Sequence, residues 1–208
     1  MFIQPIRFTT GAVFSGASSR ENHRDRVATF RAALRRTVQL RDAADLLPHL
    51  PGVGESLHAL MLGNFDFMLV LSAILRQQPE PCRHLRIATL AFSMKNVQEL
   101  ARLFDEGIVE RITLLSADYM DRMNNDIFQT ALAELRENRG QTVATARTHA
   151  KVSLLEYPAA AYVLEGSANL RTNKNLEQVT LINDQGVHQW HAAWIGEKVE
   201  EYEQRQAK

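Results

Sequence analysis

The sequence predicts an α/β domain built on a mixed β-sheet flanked by helices, and three observations predict it. Strand-like and helix-like segments alternate through the middle of the chain: HLRIATLAF, SMKNVQELARLFDEG, ERITLLSAD, then a helical stretch through Phe128, Ala131, Leu132 and Leu135. Helices of about 10–15 residues between strands are the mark of βαβ units. Beyond Gly140 the apolar pattern turns to period two in QTVATARTHAKVSLLE, AYVLEGS and EQVTLIND, which adds further strands. Finally, 208 residues with 45% apolar and 23% charged content can bury one sizeable core.

Taken in order, residues 1–45 form a separate segment, rich in Arg and poor in acids from Arg20 to Arg41. Val27, Phe30 and Leu34 recur at helical spacing there, so an exposed amphipathic helix over 21–39 is expected. Residues 46–208 make the α/β domain. PHLPGVGES is a loop by its Pro and Gly content, followed by the strand-like SLHALML and an apolar run through Leu75. His84–Phe92 is a buried strand. Ser93 is the N-cap of a helix whose stripe is Val97, Leu100, Ala101 and Phe104, and Gly107 stops it. The helix through Phe128 ends before Gly140, and a final helix carries Trp190, Trp194 and Ile195, with the two Trp assigned to core packing.

Composition narrows the function classes. Lys+Arg and Asp+Glu are 24 each, so the net charge is zero and a uniformly basic nucleic-acid coat is excluded. The charge is nonetheless uneven, because the Arg-rich segment must be balanced by acids elsewhere; this favours a nucleic-acid-facing arm over a plain solvated helix. One cysteine, Cys82, permits no intrachain disulfide and has no partner that would make it a nucleophile. The opening residues are a poor secretory signal, and FMLVLSAIL is far short of the about 20 residues that span a bilayer. A soluble, cytoplasmic protein with no membrane contact is the expectation.

Chemistry concentrates in THAKVSLLE and EGSANLRTNKNLE. Read as one continuous strand, the first stretch puts His149, Lys151 and Ser153 on one face, with imidazole and ammonium about 7 Å apart. Such a pair suits an anion: Lys supplies fixed charge, and His serves as nucleophile or proton carrier near neutral pH. The second stretch follows the next strand. Gly166 would let backbone approach a ligand, while Ser167 and Asn169 could donate to oxyanions. Glu177 could hold one imidazole nitrogen and fix its tautomer.

His149-x-Lys151, Gly166-Ser167-x-Asn169 and Asn175-x-Glu177 together resemble the phospholipase D superfamily, in particular its single-motif nuclease branch. The resemblance runs by motif from His149 onward and by α/β pattern back to about Leu57. One position departs from it: five residues after the Lys the family carries Asp, and here stands Glu156. The resemblance implies a phospholipase D-like domain and a two-step, metal-independent phosphodiester cleavage without cofactor. His149 would be the nucleophile and, from a second chain, the acid; Lys151 and Asn169 would bind phosphate, Ser167 would assist and Glu177 would orient His149. Gly166, Arg171, Lys174 and Asn175 would contact substrate, although Arg171 and Lys174 read equally as a solvated turn. Only one such motif set is present, so the complete site requires a homodimer with its two-fold axis between the two copies of His149.

A nuclease, with DNA preferred over RNA, is the expected activity. A catalytically inactive nucleic-acid-binding or assembly protein on the same fold, or a lipid phosphodiesterase, are the alternatives. Leu-Pro-Gly-Val-Gly superficially resembles a helix-hairpin-helix loop, but Glu55 stands where a cation would help, so a plain loop entering the first core strand is expected.

Overall fold

A computed structural model of the protein describes residues 49–61, 65–123, 125–173 and 175–208. The Arg-rich segment 1–45, with its expected helix, and Lys174 lie outside the described residues. The strands are β1 (Ser56–Met61), β2 (Phe65–Asp66), β3 (His84–Thr89), β4 (Ile112–Ala117), β5 (Thr142–Ala146), β6 (Val152–Glu156), β7 (Ala161–Gly166), β8 (Thr172–Asn173) and β9 (Glu177–Asn183). The helices are α1 (Phe67–Gln77), α2 (Met94–Asp105), α3 (Asp118–Met123), α4 (Asn125–Ala131), which runs on into a π-helical turn at Leu132–Glu137, and α5 (Gln185–Gln206).

The mixed sheet has seven strands in the order β1-β9-β7-β6-β3-β4-β5, and β2 pairs with β8 apart from it. β3, β4 and β5 run parallel, joined by helical crossovers, whereas β6, β7, β9 and β1 are each antiparallel to their neighbours. The expected α/β class is therefore the observed one. Buried Leu, Ile and Val from β3, β4, β6 and β7 fill the core together with Leu71, Ile74, Leu100, Leu103 and Phe128 from the helices. Helix α2 starts as its sequence predicts. The Ser93 side chain accepts the Asn96 N–H, the Asn96 side chain returns to the Ser93 N–H, and Gly107 takes the left-handed turn at φ 70° that ends the helix.

Three local expectations change. The PHLPGVGES loop does enter β1, with Gly54 at φ 78°, but β1 is the sheet's edge strand, alternately exposed, rather than a core strand. The helix expected around Phe128 is α4, from Asn125; it is preceded by α3, which starts at Asp118 directly after β4, and it runs on into the π turn at Leu132. Trp190 is not core: it is 67% exposed and meets His191 edge-on, while Trp194 is half-buried with its Nε1 donating to His191 Nδ1 at 3.0 Å.

Helix α5 crosses the sheet over a partly buried polar layer. His84 and Arg86 on β3 face Glu156 on β6, with Arg86 Nη1 on Glu156 Oε2 at 2.9 Å and His84 Nε2 on Thr113 Oγ1 at 2.8 Å. Burial, reinforced by Arg86 and Arg111, pushes the His84 imidazole down from 6.5 to about 3; the Glu156 charge opposes it and His188 adds to it. His188 of α5, 2% exposed, is lowered by burial and by Arg86. A depressed imidazole stabilises the fold fully above its unfolded value near 6.5, and that stability is lost as pH falls. Glu156, held low by Arg86, contributes its own loss only below the carboxylate range. Thermal melts should therefore decline between about pH 6.5 and 4.5 at up to about 1.4 kcal/mol per pH unit for each imidazole. His84→Gln should reduce that slope; an unchanged slope in the variant would show that His84 is not its source.

Candidate active site

The candidate residues gather at one end of the sheet, where the parallel strands β3, β4 and β5 finish, β6 and β9 begin and β7 ends. This is the carboxyl end of the parallel set, the side on which open α/β sheets place ligands. The strand expected through THAKVSLLE is broken here. β5 stops at Ala146 and β6 starts at Val152, so His149 and Lys151 stand in the loop between them, not on a strand face. Thr148 Oγ1 accepts the Ala150 N–H at 3.1 Å, a local turn that competes with strand pairing. Ser153, expected beside them, is instead buried in the sheet.

The loop brings imidazole and ammonium closer than a strand would. Lys151 Nζ lies 3.1 Å from His149 Nδ1 and 3.0 Å from the His149 carbonyl oxygen. An ammonium can only donate, so Nδ1 is the acceptor and a neutral ring carries its proton on Nε2. Burial pushes the Lys151 ammonium below its usual range, and the Glu177 charge opposes that shift, which places the Glu177 carboxylate within electrostatic reach.

Gly166 ties the second motif to the first. Its N–H donates to the Lys151 carbonyl at 3.3 Å. What its missing side chain admits is backbone rather than a ligand: a Cβ at this position would stand 2.2 Å from the Gln178 carbonyl oxygen. The Ser167 N–H donates to that same oxygen, and the Ser167 hydroxyl donates to Glu177 Oε2 while accepting the Gln178 N–H at 3.1 Å. Glu177, 8% exposed, is thus engaged by Ser167, and the expected Glu177–His149 contact is not formed among the described residues. His149 itself is exposed.

Beyond Ser167 the chain alternates in and out. Ala168 and Leu170 are buried anchors, Asn169 is half-buried, and Arg171 and Asn175 are exposed on the connection between β7 and β9. Glu156, five residues past Lys151, lies at the opposite end of β6 and is occupied by Arg86, so its role is in the polar layer under α5. Two neighbours of the site carried no signal in the sequence. Thr89 reaches it by accepting the Leu170 N–H across 81 positions of chain, and Asp66 through the Met68 N–H that the Leu170 carbonyl also accepts; no periodicity reports those. Among the described residues no cluster of three or more His, Cys, Asp and Glu side chains is placed to hold a metal ion, and no helix is long and apolar enough to cross a membrane.

The fold is similar to that of solved structures that include a phospholipase D family member, the class that the motifs resemble. The chain superposes on Nuc, a phospholipase D family member from Salmonella typhimurium, with a TM-score of 0.50 at 15% identity, covering 69% of this chain and 94% of that one. NucT from Helicobacter pylori gives 0.51 at 17% identity, with 70% and 97% covered. The phosphatidylserine synthase of Haemophilus influenzae gives 0.52 at 19%, over 74% of this chain and 40% of that one. No family profile and no curated sequence matches the chain.

Proposed function

We propose that the protein is a metal-independent phosphodiesterase, a nuclease by preference, whose active site is completed by a second copy of the chain. The observation that carries this reading is the Lys151–His149 contact at the sheet's end, tied through the Gly166 N–H to the Ser167–Glu177 pair.

A phosphate arriving at this end competes for Lys151. Once the ammonium turns to a phosphate oxygen, Nδ1 is released to take a proton and Nε2 to present its lone pair. Glu177 is the carboxylate that can then hold the Nδ1–H, the orienting role a third group plays beside other nucleophilic imidazoles. Nε2 attacks phosphorus, the N–P bond forms, and the P–O bond to the leaving group breaks as His149 of the partner subunit gives that oxygen its proton. In the second step water loses a proton to that same partner imidazole, its oxygen bonds phosphorus, and the N–P bond breaks. Lys151 and Asn169 balance the charge on the phosphate oxygens, with Ser167 assisting. Arg171 and Asn175 form the rim that meets the rest of the substrate, which Lys174 would contact as well.

Nucleic acid is favoured by the Arg-rich 1–45 segment and by the uneven charge of a neutral chain. A lipid phosphodiesterase is the second reading, supported by the likeness to a phosphatidylserine synthase. Purified protein is expected to cut single- or double-stranded DNA in the presence of EDTA, RNA more slowly, and phosphatidyl substrates not at all. Cleavage of phosphatidyl substrates alone would select the lipid reading. Binding of DNA with no cleavage would select a non-catalytic one.

A further inference from the structure

We propose that Thr89 and Asp66 are positioning residues that set Asn169 at its working distance from Lys151, by clamping the backbone of the residue that follows it. This deepens the phosphodiesterase reading and rests on it.

Asn169 lies in the run between β7 and β8, where no sheet ladder holds the backbone. The next residue, Leu170, is held at both of its backbone polar groups instead. Its N–H donates to Thr89 Oγ1 at 3.3 Å, and its carbonyl accepts the Met68 N–H at 3.1 Å. Thr89 is 2% exposed and spends its own hydroxyl proton on the Ala91 carbonyl at 3.2 Å, which leaves a lone pair for Leu170. The Met68 N–H is shared with Asp66 Oδ1, the N-cap of α1, at 3.1 Å. The same Oδ1 accepts Asn96 Nδ2 at 3.1 Å, and Asn96 Oδ1 in turn accepts the Ser93 N–H and hydroxyl at 2.8 and 2.9 Å. The first turns of α1 and α2 and the end of β3 therefore converge on one residue beside Asn169. On its far side Asp66 pairs with Thr172 in the β2–β8 ladder.

The other side of the distance is fixed by the sheet. Ala88 of β3 pairs with Val152 of β6, so Thr89 borders the position of Lys151. A single buried hydroxyl thus joins the strand alongside Lys151 to the loop that carries Asn169. Constellations that bind a phosphoryl group work only within about 0.5 Å of the productive geometry. Valine would fill the space of Thr89 without accepting the Leu170 N–H, whereas serine would accept it.

The test is made on the full chain with Thr89→Val, Thr89→Ser and Asp66→Asn, each first shown to melt cooperatively. In Thr89→Val the Leu170 amide is expected to exchange at least about tenfold faster, and kcat on a DNA oligonucleotide to fall at least about tenfold with KM within about threefold. Thr89→Ser and Asp66→Asn, which keep the acceptor oxygens, should stay within about threefold of the parent protein. The proposal is overturned if Thr89→Val keeps its kcat or its Leu170 protection, or if Thr89→Ser is as slow as Thr89→Val. Should the parent protein cleave no phosphodiester, the functional reading falls and the clamp is judged by inorganic phosphate. The Asn169 side-chain amide resonances should then shift with phosphate in the parent, with at least about fivefold weaker affinity in Thr89→Val. No phosphate response in the parent, or equal affinity in Thr89→Val, would overturn the clamp as well.

Discussion

Replacing His149 by alanine is expected to abolish phosphodiester cleavage, by about 10⁴-fold or more, while leaving the thermal transition within about 1 °C of the parent's. The size follows from the proposed chemistry, in which one imidazole forms the bond to phosphorus and its twin carries the leaving-group proton, so a single substitution removes both functions from a two-fold site. The small effect on stability follows from the fold. His149 is exposed, stands in a loop, and among the described residues its side chain meets Lys151 alone. Nucleic-acid binding should survive in the variant, because Lys151, Asn169 and the basic residues of the rim remain. A cleavage assay beside a binding titration separates the outcomes: residual activity near the parent's would remove His149 from the mechanism, whereas loss of binding with the activity would make it a substrate contact only.

Gly166→Ala is expected to act in the opposite way, through the fold. The added Cβ would stand 2.2 Å from the Gln178 carbonyl and 3.2 Å from the Val179 Cα, both of them backbone that no rotamer change can move. β7 and β9 would have to part at the point where the Ser167 N–H donates to Gln178 and where Ser167 meets Glu177. Such a clash in a paired sheet costs about 3 kcal/mol or more. In a domain of this size that corresponds to a drop of roughly 6–12 °C in Tm, readable by calorimetry. Activity should fall further than stability alone explains, because Ser167, Glu177 and the Lys151 carbonyl are all moved. A variant melting within a degree of the parent would mean that β7 and β9 are not packed as described.

These two residues also show what the sequence discloses and what it withholds. Gly166-Ser167-x-Asn169 after an apolar run was legible as a candidate site because polar residue types beside a strand have little packing use, and the sheet's end does gather these positions. The reason for the glycine was not legible, since the carbonyl it makes room for lies on a strand separated from it by a loop. The break at His149 was hidden for another reason. Ala144, Ala146, Ala150 and Val152 keep an apolar beat of two through ATARTHAKV, although Arg147 bends the chain and the Thr148 hydroxyl captures the Ala150 N–H. Small alanines satisfy a strand pattern without requiring a strand. The capping of α2 was legible because Ser93 and Asn96 act within one turn. The engagement of Glu177 by Ser167, and of Leu170 by Thr89, depends on which strands become neighbours, and local pattern does not encode strand order.

The central claim is that two imidazoles, one from each subunit, serve one phosphorus atom. Dimers formed by co-expressing parent and His149→Ala chains in graded ratios test it most directly. If both imidazoles are needed, specific activity falls as the square of the parent fraction, so an equal mixture retains about a quarter. Activity that falls in simple proportion to the parent fraction would contradict the account, because each chain would then be cutting alone.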